Sequence, residues 1–299
     1  LSVAANLGSG VNVEAYYQFQ WKPYSFPPAG TYFSQSDFFD KGRDSLIYFT
    51  PDAASRIRTP GDPLYGKTLA AAREEMLNSE LTAIPVDADD EPGDSGQFGV
   101  SLKYRPEGMD VDLGLYYQRF HDKTPNLQYW NANGAARMYF LEDRELYGIS
   151  ANTSVGNWAV GAELSYRPED AVSLGACSDF TIDQCDGSID EERYQFHLTG
   201  ILSLTPGDHG WFLDLMGAQT GTFLGEAVAI AYPGVSKDKA YVRTRNGVTY
   251  QQLPAAGAWT HDSGVGDKLS WGYMFDFSLT YDSTLIPGWQ VIPGVFFSH

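Results

Sequence analysis

The sequence has little positive charge. Its 299 residues include 20 lysines and arginines against 38 aspartates and glutamates, so the formal net charge is -18. A protein that wraps a nucleic-acid backbone needs clustered basic side chains to neutralise the phosphates. Nucleic acid is therefore excluded as a partner.

Long uncharged segments are also missing. The longest stretches without Asp, Glu, Lys or Arg are 17 residues, Leu146 to Ala162 and Ser283 to His299, and both contain Gly with Asn or Pro. A membrane-spanning helix needs about 20 mostly apolar residues, so none is expected. Membrane β-barrels stay open, because their strands give a much weaker hydropathy signal. Leu1 to Gly10 has neither a basic start nor a long apolar run and does not resemble a signal peptide.

What the sequence has in abundance is strict alternation of apolar and polar residues, the two-residue period of a β-strand. The regular segments are Asn12–Trp21, Gln97–Tyr104, Val111–Gln118, Trp158–Tyr166, Arg193–Leu204 and Gly272–Tyr281. Weaker strands are expected at Leu1–Ala5, Glu145–Val155, Trp211–Leu224 and Trp289–Phe297.

The connections between these segments alternate between short turns and long polar loops. The long ones cover residues 22–96, 121–144, 168–192 and 233–267. Outer-membrane barrels have this rhythm, with short periplasmic turns and long extracellular loops. The sequence therefore predicts an all-β fold, an antiparallel transmembrane β-barrel segment over 1–299 with nine or ten strands. A soluble sandwich or lipocalin could alternate in the same way and stays open.

Two segments carry a family resemblance. Residues 10 to 39 are GVNVEAYYQFQWKPYSFPPAGTYFSQSDFF, and residues 94 to 127 are DSGQFGVSLKYRPEGMDVDLGLYYQRFHDKTPNL. Both resemble a proteobacterial outer-membrane β-barrel family catalogued as a domain of unknown function. The likeness is strongest over residues 1 to 130 and continues as a general pattern through the rest of the chain.

The resemblance implies a location and a context. It implies the outer membrane of a Gram-negative bacterium, with outer-membrane lipid and lipopolysaccharide around the protein. Members are commonly encoded beside an RND-type inner-membrane transporter and a periplasmic partner family, which implies both as partners in transport. Members are also longer at both ends, so we expect the chain to be an interior portion of a longer one. The family has no established catalytic residues to carry over.

The alternation assigns each strand residue to one of two faces of the predicted barrel. The residues expected to face lipid include Tyr17, Leu113, Leu115, Val160, Leu198 and Phe275. The residues expected to face the lumen are Glu14, Gln18, Lys103, Asp112, Gln118, Glu163, Arg193, His197, Asp214 and Asp276. Mixed charges in a lumen can cross-link opposite walls or line a water path.

The longest connection, residues 23–96, contains a predicted helix. Asp62 is suited to be its N-cap, and Pro63 to the first helical position, so the helix is expected near 63–80. Such a loop can fold into the barrel, cover its mouth or decorate its surface.

Cys177 and Cys185 are the only cysteines and lie in one loop. Export passes through the oxidising periplasm, so a disulfide that staples the loop is predicted, with two free thiols as the alternative.

The same loop is rich in carboxylates. Oxygen-rich loops can bind Ca²⁺, and Asp179, Asp183, Asp186 and Asp190 are the candidate ligands, although their spacing is not that of an EF-hand. The alternative is solvated charge that engages divalent ions held by lipopolysaccharide. No other metal or cofactor is expected.

Catalytic motifs are missing as well. The sequence has no G-x-S-x-G, H-E-x-x-H or phosphate-loop pattern, so we expect no enzymatic activity. The function we expect is passage or transfer of hydrophobic or lipid-like cargo within an envelope-spanning system. Inward aromatic residues support it, since Tyr16, Tyr116 and Phe212 would narrow a lumen. The alternatives are a porin-like diffusion channel for small hydrophilic solutes and a barrel that anchors surface loops and partners.

Overall fold

The computed structural model describes residues 1–34, 42–43, 45–47, 56–77, 83–173, 185–235, 241–245, 248–252, 268–284 and 286–299. The strands in chain order are β1 (Ser2–Gly8), β2 (Val11–Gln18), β3 (Ser45–Ile47), β4 (Ala83–Pro85), β5 (Gln97–Tyr104), β6 (Val111–Phe120), β7 (Asn126–Trp130), β8 (Arg137–Tyr139), β9 (Arg144–Val155), β10 (Trp158–Ser173), β11 (Cys185–Asp186), β12 (Ser188–Leu204), β13 (Thr220–Ala231), β14 (Tyr241–Arg245), β15 (Val248–Gln252), β16 (Leu269–Asp282), β17 (Gln290–Val291) and β18 (Gly294–Ser298). The helices are α1 (Leu69–Leu77) and α2 (Pro206–Met216). No helix in these ranges is long and apolar enough to cross a membrane.

Eleven strands form one antiparallel sheet, in the order β1-β2-β5-β6-β9-β10-β12-β13-β16-β17, with β18 also paired to β16. The all-β, antiparallel prediction is confirmed. The strand count exceeds nine or ten because β17 and β18 lie one after the other along β16. Pro293 lies between them, and a proline has no N–H to continue the ladder. Within the described residues β1 pairs only with β2 and β18 only with β16, so the sheet is open.

Neighbours in this sheet are consecutive along the chain, apart from small strands inside the long connections. Because the pairing is antiparallel, all short connections lie at one end of the strands, which we call the short-turn edge of the sheet. All long connections lie at the other end of the strands, the loop edge. The β1–β2 turn is an example of the short connections. Its Gly10 has a positive φ of 77°, a conformation that favours glycine. A side chain at Gly10 would also collide with the backbone carbonyl of Arg105, so only glycine fits there.

Residues that pair in the register lie on the same side of the sheet, so each face continues from strand to strand across the whole sheet. Leu102 pairs with Leu115, Leu115 with Ile149, and Ile149 with Leu164, all on what we call the apolar face. All six residues expected to face lipid lie on it. On the opposite, polar face lie nine of the ten residues predicted for the lumen, the exception being Asp214.

The long connections pack on one another at their edge of the sheet. β11, β7 and β8 form a small sheet, and residues of the β2–β5 connection join it through bridges from Val86 to Ala136 and from Asp90 to Tyr139. We call this assembly the loop layer. Much of the buried interior lies here, including Trp130, Met138 and Tyr139. The described parts of the β2–β5, β6–β9 and β10–β12 connections are therefore packed against one another.

α1 differs from the helix predicted near 63–80, because it begins at Leu69. Asp62 does not cap it; its carboxylate accepts hydrogen bonds from the Leu64 N–H and from Arg56, which closes a turn instead. Thr68 is the cap, since its hydroxyl oxygen accepts the Ala71 N–H at 3.2 Å.

α2 replaces the first part of a predicted strand, Trp211–Leu224, so Asp214 and Phe212 lie on a helix and not on an inward strand face. The reason is local. Pro206 stands at the start of the helix, where its fixed φ is favourable, and Gly217 ends it in the left-handed conformation at φ 67°. β13 then begins at Thr220.

Candidate functional site

The polar face carries most of the charged residues of the main sheet. Lys103 Nζ lies 3.6 Å from Glu14 Oε2, and His197 Nε2 lies 2.5 Å from Glu226 Oε1. Glu163 is directly opposite His197 in the register, so the imidazole lies between two carboxylate positions. The remaining predicted residues on this face are Gln18, Asp112, Gln118, Arg193 and Asp276.

One part of the polar face is apolar, which the sequence analysis missed. We call it the apolar strip, and it consists of Ile201, Leu224, Val228, Ile230, Met274 and Phe296. These residues belong to β12, β13, β16 and β18. Part of the strip escaped prediction because residues 227–231 are apolar on both faces, so they show no alternation.

The apolar face is exposed across the middle of the sheet. Leu115 is 53% exposed and Ile149 is 52% exposed, although both are near the middle of the sheet. A shallow groove of 590 Å³ runs between them and their apolar neighbours on β5, β10 and β12. An exposed apolar surface of this extent marks a site that contacts lipid or another protein.

Aromatic rings form a row near each edge of the apolar face. Near the loop layer, successive ring centroids lie 5.9, 5.2, 6.3 and 4.8 Å apart along Phe98, Tyr117, Tyr147, Tyr166 and Tyr194. Near the short turns, the Trp158 and Phe223 rings lie 6.1 Å apart.

A group of ion pairs lies where β9, β10 and β12 meet the loop layer. Arg144, which is 5% exposed, donates to Glu169 and Asp190 at 2.9 Å each. Asp170 accepts hydrogen bonds from Arg167 at 2.9 Å and from Arg193 at 3.3 Å.

Tyr232 completes the group by donating its hydroxyl hydrogen to Asp170 at 2.7 Å. Burial, together with this bond, raises the pKa of Tyr232 to about 12, so the hydroxyl stays protonated at ordinary pH. We call the set of Arg144, Arg167, Arg193, Glu169, Asp170, Asp190 and Tyr232 the ion cluster.

The ion cluster contradicts the alternative of solvated charge for Asp170 and Asp190, two carboxylates of the acidic loop. Asp170 is only 9% exposed, and both Asp170 and Asp190 are held by arginines. Those arginines are outside the acidic segment in sequence, so composition alone did not pair them.

Asp122 lies close to the ion cluster but forms no ion pair within the described residues. Burial raises the pKa of the Asp122 carboxyl, Arg144 opposes the shift, and the negative charges of Asp170 and Asp190 add to it. A carboxyl whose pKa is raised on folding favours the folded state at low pH, and this contribution is lost as pH rises through the folded pKa. Charged Asp122 therefore destabilises the loop layer at neutral pH.

Asp122→Asn should slow proteolysis of the loop layer at neutral pH, because it removes this buried charge. The gain should shrink at mildly acidic pH, where Asp122 itself becomes neutral. Asp208→Asn is the control: hydrogen bonds from Asn157 and Thr205 lower the pKa of Asp208, and this residue lies at the short-turn edge, so its change should leave proteolysis of the loop layer as in the parent. An Asp122→Asn protein that is digested faster than the parent at neutral pH would contradict this assignment.

The two remaining loop predictions rest partly on residues outside the described ranges. Cys177, Asp179 and Asp183 are among them, so the disulfide and the calcium site stay predictions. Cys185 itself is fully buried and packs against Trp130. Asp186 accepts a hydrogen bond from Gln128, and no group of three or more metal-binding side chains occurs within the described residues.

The chain belongs to the family described as Protein of unknown function (DUF1302), whose sequence model matches residues 1–299. No curated protein matches the chain.

Proposed function

We propose that this chain is a transmembrane β-barrel segment of the outer membrane of a Gram-negative bacterium, with its apolar face in lipid and its polar face toward the lumen. The exposed apolar face is the observation that carries the proposal. A soluble sheet buries its apolar face against a second layer. In the described residues only α2 packs on this face, at one edge, and the middle is left exposed.

The spacing of the two aromatic rows supports a bilayer as the occupant. Trp158 and Tyr166 stand at the two ends of the apolar part of β10, eight residue steps apart. At about 3.3 Å per residue and a tilt of about 40°, the rows are about 20 Å apart across the membrane. Membrane barrels have an apolar band about 25 Å tall that is flanked by aromatic girdles, so the dimensions agree.

The connections suggest which edge faces which compartment. Outer-membrane barrels place short turns in the periplasm and long loops outside the cell. The loop layer would then be extracellular, next to lipopolysaccharide, and the short turns would lie on the side of a periplasmic partner and an RND-type inner-membrane transporter.

For cargo, we propose a hydrophobic or lipid-like compound. The apolar strip supports this choice, because it places six apolar side chains on an otherwise polar face, with Glu226 and Asp276 between them. A general porin keeps its channel water-filled and polar. The charged residues of the same face favour the porin alternative, and they include Glu226 and Asp276 on the strands of the strip as well as Glu14 and Lys103 elsewhere.

The test compares Leu224→Ser with Ser101→Ala in the complete protein. Leu224 lies in the apolar strip and Ser101 on the same face of β5, outside it. Leu224→Ser should reduce traffic of a hydrophobic compound across the outer membrane without loss of barrel assembly, and Ser101→Ala should not. In planar bilayers the complete protein should show little steady ion conductance.

The other outcomes identify the alternatives. Large, stable, salt-dependent conductance together with uptake of sugars or amino acids would establish a porin. An assembled barrel whose deletion alters neither conductance nor traffic would favour the anchor for loops and partners.

A further inference from the structure

α2 lies on the apolar face at the short-turn edge of the sheet. Its buried Leu213 packs in one cluster with Leu204 of β12 and Leu279 of β16. The Phe212 ring contacts the Phe277 ring, with centroids 6.3 Å apart. All three sheet residues belong to the apolar face, so α2 covers the end of that face and does not enter the polar side.

The C-terminal end of α2 is fastened to the neighbouring turn. The Tyr281 hydroxyl donates to the backbone oxygen of Met216 at 3.0 Å, and Gln219, just beyond the helix, donates to Thr284 at 2.6 Å. Gln219 also accepts the Asp282 N–H at 2.9 Å. α2 therefore has a set orientation on the sheet.

The outer side of α2 exposes large apolar side chains that no described residue covers. Trp211 and Leu215 are four positions apart, which puts them on the same side of the helix, and each is 75% exposed. The adjoining turn also exposes Trp289, at 67%. Two tryptophans and a leucine exposed together form an apolar patch, and such a patch marks a surface that binds lipid or another protein.

We propose that α2 is an interfacial helix that binds the headgroup and upper acyl region of a zwitterionic phospholipid bilayer. This inference rests on the proposed function. Three features support a lipid surface as the occupant. α2 continues the apolar face directly through Phe212 and Phe277, and tryptophan favours the membrane interface. The helix also has Asp208 and Asp214 but no lysine or arginine, so its charge suits zwitterionic and not anionic headgroups.

The negative charge of α2 also indicates which leaflet of the outer membrane the helix binds. Lipopolysaccharide is anionic and would repel Asp208 and Asp214. A position at the short-turn edge, away from the loop layer, matches a leaflet of phospholipid. α2 would thereby fix how deep the barrel sits in the inner half of the membrane.

Fluorescence quenching in phosphatidylcholine vesicles tests this inference. The complete protein is reconstituted into lipids brominated either near the headgroup or near the bilayer centre, and the contribution of Trp211 is the difference between the parent and Trp211→Phe. Quenching of Trp211 should be about twofold stronger with bromine near the headgroup, as expected for a helix at the interface. Addition of anionic phosphatidylglycerol should weaken the quenching.

A second probe separates this inference from the barrel itself. Leu115→Trp, placed in the Trp211→Phe background, should be quenched more by bromine near the bilayer centre. If the tryptophan at 115 is quenched in this way and Trp211 is quenched by neither lipid, α2 does not bind the bilayer, and a partner protein becomes the occupant. If Trp211 is quenched more from the centre, the interfacial position is wrong. If neither tryptophan is quenched, the proposed barrel fails, and the inference fails with it.

Discussion

Leu115→Arg should prevent stable assembly of the sheet in lipid. Leu115 lies in the middle of β6 on the apolar face, between Leu102 and Ile149 in the register. In the proposed barrel an arginine there would lie near the bilayer centre and lose its hydration. The expected cost in the free energy of unfolding is about 2 to 4 kcal/mol, the range for a lipid-facing Arg or Lys near the midplane. Urea titration of the protein in vesicles, followed by the gel mobility of the folded form, measures it.

Gln118→Arg is the matched control, since it introduces the same side chain on the same strand but on the polar face. Gln118→Arg should assemble and resist urea nearly as the parent does. The opposite pattern, with Leu115→Arg stable and Gln118→Arg unable to assemble, would mean that the two faces are assigned the wrong way round. A soluble sheet with a wetted apolar face would tolerate both changes.

The two faces could be predicted because a strand has a period of exactly two residues, and each residue then keeps its side across the ladder. Val160 and Leu198, which are 38 positions apart in the chain, were assigned to one face without any knowledge of their pairing, and the register agrees. The alternation gave no signal where both faces are apolar, as in β13 from Ala227 onward. It also failed at α2, where Pro206 and Gly217 set a helix over a segment that looked like a strand.

The loop layer and ion cluster could not be predicted in this way. Arg144 finds its partners 25 and 46 positions away, at Glu169 and Asp190. Such a contact cannot be predicted from the positions of the residues in the sequence. It forms because the ends of β9, β10 and β12 lie side by side in the sheet. Counting charges within one loop suggested solvated carboxylates, whereas the arginines that neutralise them come from β9, β10 and β12.

Arg144→Met should disorder the loop layer while leaving the main sheet intact. The methionine fills a similar volume but removes the guanidinium that bonds Glu169 and Asp190, so Asp190 loses its arginine beside Asp122 and Asp170. Removing one partner of a fully buried ion pair typically costs about 3 to 5 kcal/mol. The cost here should lie below that range, because the side chain of Glu169 is 64% exposed and that of Asp190 is 28% exposed, so water solvates part of the charge that remains. Hydrogen exchange should therefore rise sharply in β7, β8 and β11 and remain slow in the paired strands of the main sheet.

Arg119→Met is the matched control. It makes the same substitution at the same edge of the sheet, but it breaks an exposed ion pair, the one between Arg119 and Asp143. Exposed ion pairs contribute little, since water solvates both partners when the pair is broken. Its loop layer should exchange as slowly as that of the parent. If Arg144→Met also leaves exchange unchanged, the hydrophobic packing around Tyr139 and Trp130 is sufficient to hold the loops. If Arg144→Met instead accelerates exchange throughout the main sheet, the ion cluster supports the whole sheet and not the loop layer alone, because its arginines reach across the ends of β9, β10 and β12.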